Sequence, residues 1–247
     1  MANTTEPVSP ELRIMTYNVH SCIGTDRRHE PGRIAEVIAA CAPDVVALQE
    51  LDVGRLRTGH TDQAAIIAKH LRMNGHFHPA LELKEEKYGD AILSTFPTRL
   101  IKAGGLPSIG EPRGAIWVEI DCGGRSVQIV NTHLGLRRRE RMAQAAALLG
   151  PEWLGSEACQ RGPTIFAGDL NAVPSSTVFA ALGKRMSVAR EENGRLRPTF
   201  PSRFPMLRLD YIFTKGIRLV SAERMDMPLT RKASDHLPLL ATLEIDG

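Results

Sequence analysis

The sequence contains no apolar stretch approaching the roughly 18–20 residues that span a bilayer, which argues against a helical membrane protein. Cysteine is scarce. The four present, Cys22, Cys41, Cys122 and Cys159, are widely spaced and form no CxxC pair. That spacing speaks against a structural zinc site and for reduced thiols in a cytosolic protein. Aromatic residues make up only 5% of the chain, so no stacking platform for single-stranded bases stands out. Neither sign of charge prevails. The 31 Lys and Arg against 28 Asp and Glu leave a net +3, compatible with an anionic substrate but not diagnostic of nucleic acid. Repeats, low-complexity tracts and a convincing interdomain linker are also missing.

What is present suits a soluble enzyme with a sizeable core. The chain has 247 residues, of which 43% are hydrophobic and 24% charged. Met1–Pro10 is polar and proline-bearing, without the basic start and apolar stretch of a signal peptide, and is expected to be a flexible leader. Residues 11–247 then read as a single domain, expected to act as a monomer in the cytoplasm. Arg195–Pro205, with three prolines, reads as a long loop beside an active site, because the strand after it carries a chemical motif.

Apolar runs with strand character recur at Leu12–Tyr17, Val45–Leu48, Ala91–Ser94, Ala115–Ile120, Val127–Asn131, Thr164–Ala167, Leu209–Phe213 and Leu237–Leu243. Helical spacing appears at Gly32–Cys41, Asp62–Leu71, Arg139–Leu149 and Thr177–Leu182. The Gly123-Gly124 pair between Ile116–Asp121 and Ser126–Asn131 signals a hairpin. Hairpins mixed with crossovers predict mixed sheets with outer helices rather than a doubly wound parallel sheet.

Seven short motifs carry the chemistry. In chain order they are Thr16-Tyr17-Asn18-Val19-His20, Leu48-Gln49-Glu50, Tyr88-Gly89-Asp90-Ala91-Ile92-Leu93-Ser94, Asn131-Thr132-His133-Leu134, Gly168-Asp169-Leu170-Asn171, Leu209-Asp210-Tyr211-Ile212-Phe213 and Ser234-Asp235-His236. Most set an acid, an amide or an imidazole at the end of an apolar strand, where a sheet opens to solvent. Taken singly, each is also what an ordinary strand end or turn looks like. Gathered in one place, such groups suit hydrolysis of a phosphate ester on a divalent metal.

Together and in this order, the motifs resemble the endonuclease/exonuclease/phosphatase superfamily. Its members include pancreatic-type deoxyribonucleases, abasic-site endonucleases, neutral sphingomyelinases and inositol-polyphosphate 5-phosphatases. The resemblance runs from about Leu12 to Leu243 and rests most on GDLN, LDYIF and the terminal SDH. It implies an α/β (α+β) four-layer sandwich of the DNase I type, two packed mixed β-sheets flanked by helices. It implies a metal held by Asn18, Glu50 and Asp235, with Glu50 the principal ligand. Carboxylates suit Mg²⁺, or alternatively Mn²⁺, and no HxxxH spacing supports zinc.

By the same resemblance, Asp169 orients or deprotonates the attacking water and Asn171 donates to a phosphate oxygen. His236 contacts the phosphate while Asp210 accepts from its other nitrogen. His133 is a general acid for the leaving oxygen or a phosphate ligand. Asp90 is either the partner of His133 or the cap of a turn after Gly89. Arg113 matches a position often held by a phosphate-facing arginine, with a plain surface role as the alternative. Arg137-Arg138-Arg139-Glu140-Arg141 is a solvated face or a grip on anionic flanks of the substrate, and Phe200–Pro205 a candidate substrate-facing loop. His20 and His29 receive no task, and Ala143–Leu149 is expected in the core.

The expected activity is therefore phosphodiester hydrolysis. A nuclease acting on DNA or RNA is one alternative, a phosphomonoesterase or a phospholipid- or sphingomyelin-type phosphodiesterase a second. A non-catalytic binding protein on the same fold would not need Glu50, Asp169, Asn171, Asp210, Asp235 and His236 all intact. The wording around Asp210 and of NTHLG lies closer to the sphingomyelinase-like and bacterial hydrolase branches than to the abasic-site branch. It leaves the substrate unnamed.

Overall fold

The computed structural model describes residues 11–245; the expected leader, Met1–Pro10, lies outside them. The elements follow in chain order as β1 (Glu11–Asn18), α1 (Pro31–Cys41), β2 (Val45–Val53), α2 (Gln63–Leu71), β3 (Asn74–Leu83), β4 (Glu86–Ser94), β5 (Thr98–Leu106), β6 (Arg113–Asp121) and β7 (Ser126–His133). Then come α3 (Arg138–Leu148), α4 (Glu157–Arg161), β8 (Thr164–Asp169), α5 (Thr177–Gly183), β9 (Ser187–Val188), β10 (Asp210–Lys215), β11 (Arg218–Arg224), α6 (Pro228–Ala233) and β12 (Leu239–Glu244).

The strands form two six-stranded sheets, ordered β11-β12-β1-β2-β4-β3 and β5-β6-β7-β8-β10-β9. Each is mixed, with one parallel pair, β1–β2 in the first and β7–β8 in the second, among antiparallel neighbours. Alternate side chains such as Ile14, Ala47, Ile129 and Ile165 fill the space between the sheets. The opposite faces bury Ile34 and Ile38 of α1 and Ile67 of α2 on one side, and Ala145 and Leu148 of α3 and Leu182 of α5 on the other. The result is the expected helix–sheet–sheet–helix sandwich. Among the described residues, all four cysteines are free and buried, and no helix is long and apolar enough to cross a membrane.

The apolar runs mark the interior strands, but β3, β5 and β11 went unread. All three are sheet edges with partly exposed, polar-rich sequences. An edge strand packs on one side only and carries charge against further pairing, so it lacks the signal of a buried run. The Ala143–Leu149 expectation needs correction. Ala145 and Leu148 are buried, whereas Ala143 and Ala146 face solvent because the helix period turns them outward.

An irregularity in the first sheet shapes the end of β2. The β2–β4 register shifts between Leu48 and Leu51, and at that bulge Glu50 takes a left-handed backbone, φ 62°. Asn131 of the facing sheet reaches across the interface at this point. Its amide donates to the backbone carbonyls of Leu48 at 2.8 Å and Ala91 at 3.0 Å, while its oxygen accepts from Gln49 Nε2 at 2.8 Å. Asn131 and Gln49 are fully buried, so the Leu48 and Ala91 carbonyls at the bulge find their donor inside the protein, whereas Gln49 Oε1 has no partner. Replacing Asn131 with leucine should leave two buried carbonyls without donors and cost about 2–4 kcal/mol, read as a lower midpoint in guanidinium unfolding. An unchanged midpoint would show that the bulge does not depend on this side chain.

Candidate active site

The parallel pairs aim their carboxyl ends at one cleft. Asn18 ends β1, Glu50 stands at the β2 bulge, His133 ends β7 and Asp169 ends β8. Asp210, opening β10, pairs in register with Asp169. The cleft encloses about 630 Å³, and its wall includes Glu50, Arg113, His133, Asp169, Asn171 and His236.

Local backbone explains several of these positions. At Gly168, φ is 145°, and a Cβ there would stand 2.0 Å from the Thr132 carbonyl oxygen. Glycine therefore lets β7 and β8 close up just before His133 and Asp169. Asn171, like Glu50, adopts a left-handed conformation, φ 47°, a backbone strain of the kind found at functional sites. The Ser234 hydroxyl donates to the Asn18 carbonyl at 2.8 Å and accepts from the His236 amide at 3.2 Å, fastening the last motif to the end of β1.

Asp169 is the centre of the polar cluster. Its Oδ2 accepts from Asn18 Nδ2 at 3.0 Å and lies 3.7 Å from His236 Nε2 and 3.6 Å from His133 Nε2, and its Oδ1 accepts from the Asn171 amide at 2.8 Å. Burial, then the charge of Asp210, raise its carboxyl above the ordinary range against the pull of His236. His236 Nδ1 sits 2.9 Å from Asp210 Oδ2, as expected, and its ring packs against Phe200 at a 43° tilt with centroids 4.8 Å apart. Burial opposes charge on His236, but Asp210 and Asp169 outweigh it and raise its pKa. His236 is thus an imidazolium held between two carboxylates.

His133 departs from expectation. Its Nδ1 faces neither Asp90 nor any other acid but Arg113 Nη1, at 2.9 Å. Asp90 is buried inside β4, so it caps no turn, and burial pushes its carboxyl up to about 8 against the nearby Arg113 charge. Both readings of Asp90 are therefore replaced: it stands behind the arginine, not behind the histidine. The other ring nitrogen of His133 lies 2.9 Å from Asn171 Nδ2, which also donates to the Leu134 carbonyl. A neutral imidazole accepts at only one nitrogen, and guanidinium and amide NH2 can both only donate, so Arg113 and Asn171 compete for one acceptor. The charged guanidinium makes the stronger bond, which assigns Nδ1 as the acceptor; the Nε2 proton then faces the Asp169 and Glu50 carboxylates at 3.6 and 3.9 Å, and the Asn171 amide is held by Leu134 alone. Burial first, then the charges of Arg113 and His236, hold His133 well below the usual imidazole range, so it is neutral.

Arg113 is itself buried, and Glu111 Oε1 lies 3.1 Å from its Nη1. Asn18 presents its amide nitrogen to Glu50 Oε1 at 2.9 Å and to Asp169, while its oxygen accepts from the His20 backbone amide at 3.0 Å. It organises two carboxylates, and its one metal-ligating atom accepts that bond with one of its two lone pairs. Asp235 lines the same cleft with His20 Nδ1 3.9 Å away. The donor chemistry fits a hard divalent cation. Glu50, Asp169, Asp210 and Asp235 supply oxygens, and Asp210 Oδ1 is buried without a hydrogen-bond partner. Asp169, Asp210 and His236 also offer ligand atoms within 4.8 Å of one another, but ligation by His236 Nδ1 would break its bond to Asp210.

Several cleft residues escaped the sequence reading. Arg57 lines the cleft, its Nε and Nη2 each donating to the buried Asp52 at 2.7 Å, with its guanidinium 5.6 Å from the Tyr88 ring centroid. Arg141 donates to the Gly135 carbonyl and lines the opposite segment. No motif marked Arg57, whereas Arg141 closes the basic run read as a solvated face or a grip on the substrate's anionic flanks. Tyr88 and Ser234 lay within quoted motifs without a role. His20 faces the cleft, whereas His29 contacts the buried Gln63 and serves packing.

A model of the endonuclease/exonuclease/phosphatase family matches residues 15–236. The chain is 28% identical over 250 residues to the uncharacterized protein YbhP of Escherichia coli, covering 95% of this chain and 96% of that one. Among solved structures, it is similar to the human Nocturnin catalytic domain with bound sulfate anion (TM-score 0.76, 24% identity, 97% and 96% coverage). It is also similar to a Bacteroides thetaiotaomicron mannosyl-6-phosphatase (TM-score 0.74, 20% identity, 94% and 99% coverage). At these identities, the two structures speak for the fold.

The tautomer of His133 is directly measurable. In ¹⁵N-labelled protein at neutral pH, two-bond proton–nitrogen correlations should show Nδ1 bare and Nε2 protonated, and Arg113→Gln should disturb that pattern. A ring protonated on both nitrogens would contradict the assignment.

Proposed function

Because the chain belongs to the endonuclease/exonuclease/phosphatase family, we propose that it hydrolyses a phosphodiester by water attack assisted by Mg²⁺ or Mn²⁺. The observation that carries this reading is the placement of Asp169 against the Nε2 atoms of His236 and His133, with Asp210 fixed behind His236. A bound divalent cation would offset the clustered carboxylates and make a bound water more acidic. Glu50 and Asp235, with their oxygens toward the cleft, are the residues proposed to hold it, and Asn18 sets the Glu50 carboxylate in place.

The chain's own groups divide the remaining work. Asp169 accepts the proton of the attacking water, its carboxylate held by Asn18 and the Asn171 amide. His236, charged and braced by Asp210, donates from Nε2 to a phosphate oxygen. His133, neutral, donates its Nε2 proton in a hydrogen bond to a second oxygen or to the leaving group. That role differs from an imidazolium acid, because burial, and after it the Arg113 charge, keeps the ring neutral. Asn171 offers its amide without adding negative charge beside the phosphate. Arg113 can leave His133 or Glu111 to grip phosphate oxygens as the ester enters.

Relatives of this fold include a phosphatase by name and a catalytic domain that holds sulfate. A tetrahedral anion is the common element. Purified protein should turn over a generic aryl phosphodiester with Mg²⁺ or Mn²⁺, and EDTA should abolish it. Glu50→Ala and His236→Ala should each lose at least about 100-fold in turnover while retaining a cooperative melt. Near-normal turnover in His236→Ala would sink its role. No metal-dependent hydrolysis of diesters, monoesters, DNA, RNA or lipids by wild type would sink the reading as a whole.

A further inference from the structure

The five most exposed large apolar side chains among the described residues are not scattered. Leu56, Ile109, Leu136, Phe204 and Met206 are between 61% and 77% exposed. Each belongs to a segment that borders the catalytic cleft. Leu136 lines the cleft itself, Leu56 precedes the cleft residue Arg57, and Phe204 and Met206 sit in the loop whose Phe200 and Leu207 line it. Ile109 joins Leu136 because the buried Glu140 of α3 accepts from the Ile109 and Gly110 amides at 3.0 and 3.4 Å. The 200–207 loop is likewise tied down. Ser202 donates from its amide to the Asp235 carbonyl at 2.6 Å and from its hydroxyl to the Ser234 carbonyl at 2.7 Å. The apolar side chains are therefore held at the mouth by fixed backbone.

The same segments are basic. Residues 55–58, 107–112, 136–141 and 200–207 contain Arg55, Arg57, Arg137, Arg138, Arg139, Arg141 and Arg203. Their acids are Glu111, which pairs with Arg113, and Glu140, which is buried. Arg137, Arg138 and Arg139 stand exposed immediately after Leu136, at the start of a helix whose dipole gives them no support. Among the described residues, none of the three side chains makes an ion pair.

We propose that this rim is a docking surface for an anionic lipid bilayer, resting on the hydrolase reading above, so that the cleft opens onto phosphate esters carried at that surface. Aliphatic side chains interleaved with arginines match a bilayer's two layers: the apolar groups enter the acyl boundary while the guanidinium groups meet headgroup phosphates. A nucleic acid would use the arginines alone. It would leave Leu56, Ile109, Leu136 and Met206 in water, and Phe204 is the single aromatic among these five exposed residues.

The test uses the full chain and extruded vesicles, without added metal. Binding to phosphatidylcholine vesicles containing about one quarter phosphatidylglycerol should exceed binding to phosphatidylcholine alone by at least about tenfold, and fall with salt. The triple variant Arg137→Gln, Arg138→Gln, Arg139→Gln and the double variant Phe204→Ser, Met206→Ser should each lose at least about tenfold of that binding with unchanged melting. Phe204→Trp supplies a second readout, since its emission should shift to the blue on anionic vesicles only. No preference for anionic vesicles, or full binding in the Phe204→Ser, Met206→Ser variant, would overturn the proposal. So would a single-stranded oligonucleotide that binds in place of vesicles, or a dimer that the same variant dissolves. Turnover of a soluble aryl diester separates the two ideas. Turnover without vesicle binding overturns the docking surface alone, and vesicle binding without metal-dependent turnover overturns the hydrolase alone.

Discussion

The bulge in β2 is the constraint on which the rest of the site depends. A regular strand sends alternate side chains to opposite faces, so Glu50 in regular pairing with β4 would not stand where it does. The irregularity between Leu48 and Leu51 turns Glu50 into a left-handed conformation beside Asn18. That disruption leaves backbone groups in the middle of a four-layer protein, where water cannot satisfy them. Asn131 satisfies them from the other sheet, two residues before His133 on the same strand. One buried amide therefore fixes the spacing between the sheets, and with it the relation of the Glu50 side of the cleft to the His133–Asp169 side.

The electrostatics depend on that spacing. Asp169 and Asp210 are buried side by side, an arrangement that disfavours ionisation of both. His236 offers the compensating charge, and its position between them leaves little freedom to rotate, since Asp210 takes one nitrogen and Phe200 covers a ring face. The second imidazole obeys the opposite logic. Backed by a guanidinium instead of a carboxylate, His133 is kept neutral and its remaining proton is aimed outward. Two histidines about equally far from one carboxylate oxygen are thus set to different protonation states by what stands behind each. A cleft with one charged and one neutral donor can contact a phosphate from two directions without accumulating positive charge.

How much of this was legible in the sequence depends on burial. The interior strands announced themselves through apolar runs, and the polar residue ending each run marked the cleft. Asn18, Glu50, His133, Asp169, Asn171, Asp210 and His236 accordingly meet where the strand ends converge. Sequence adjacency could not supply the pairings. Asp90, on a strand of the other sheet, is offered by its motif as a partner for His133, yet Arg113, from the strand beside His133's own, occupies that place. Likewise Gln49 and Asn131 lay in plain sight within two motifs. Their function, stitching one sheet to the other, requires knowing that they face each other across 82 residues of chain. The edge strands were silent because half-exposed β-structure does not differ in composition from loop.

The division between core and rim also explains why the chemistry is easier to read than the substrate. Asn18, His133, Asp210 and His236 around Asp169 are buried and held by hydrogen-bond partners, so their residue types are dictated by the site's own geometry. The rim loops are constrained differently: Glu140 and Ser202 hold their backbones, while Ile109, Leu136, Phe204 and Met206 face outward with no partner inside the protein. Exposing such side chains lowers solubility and adds nothing to the fold. Backbones held rigid in order to present apolar groups beside arginines make physical sense only if something outside the molecule receives them. On the proposed docking, that surface would carry a phosphate ester presented within reach of His236 and Asp169.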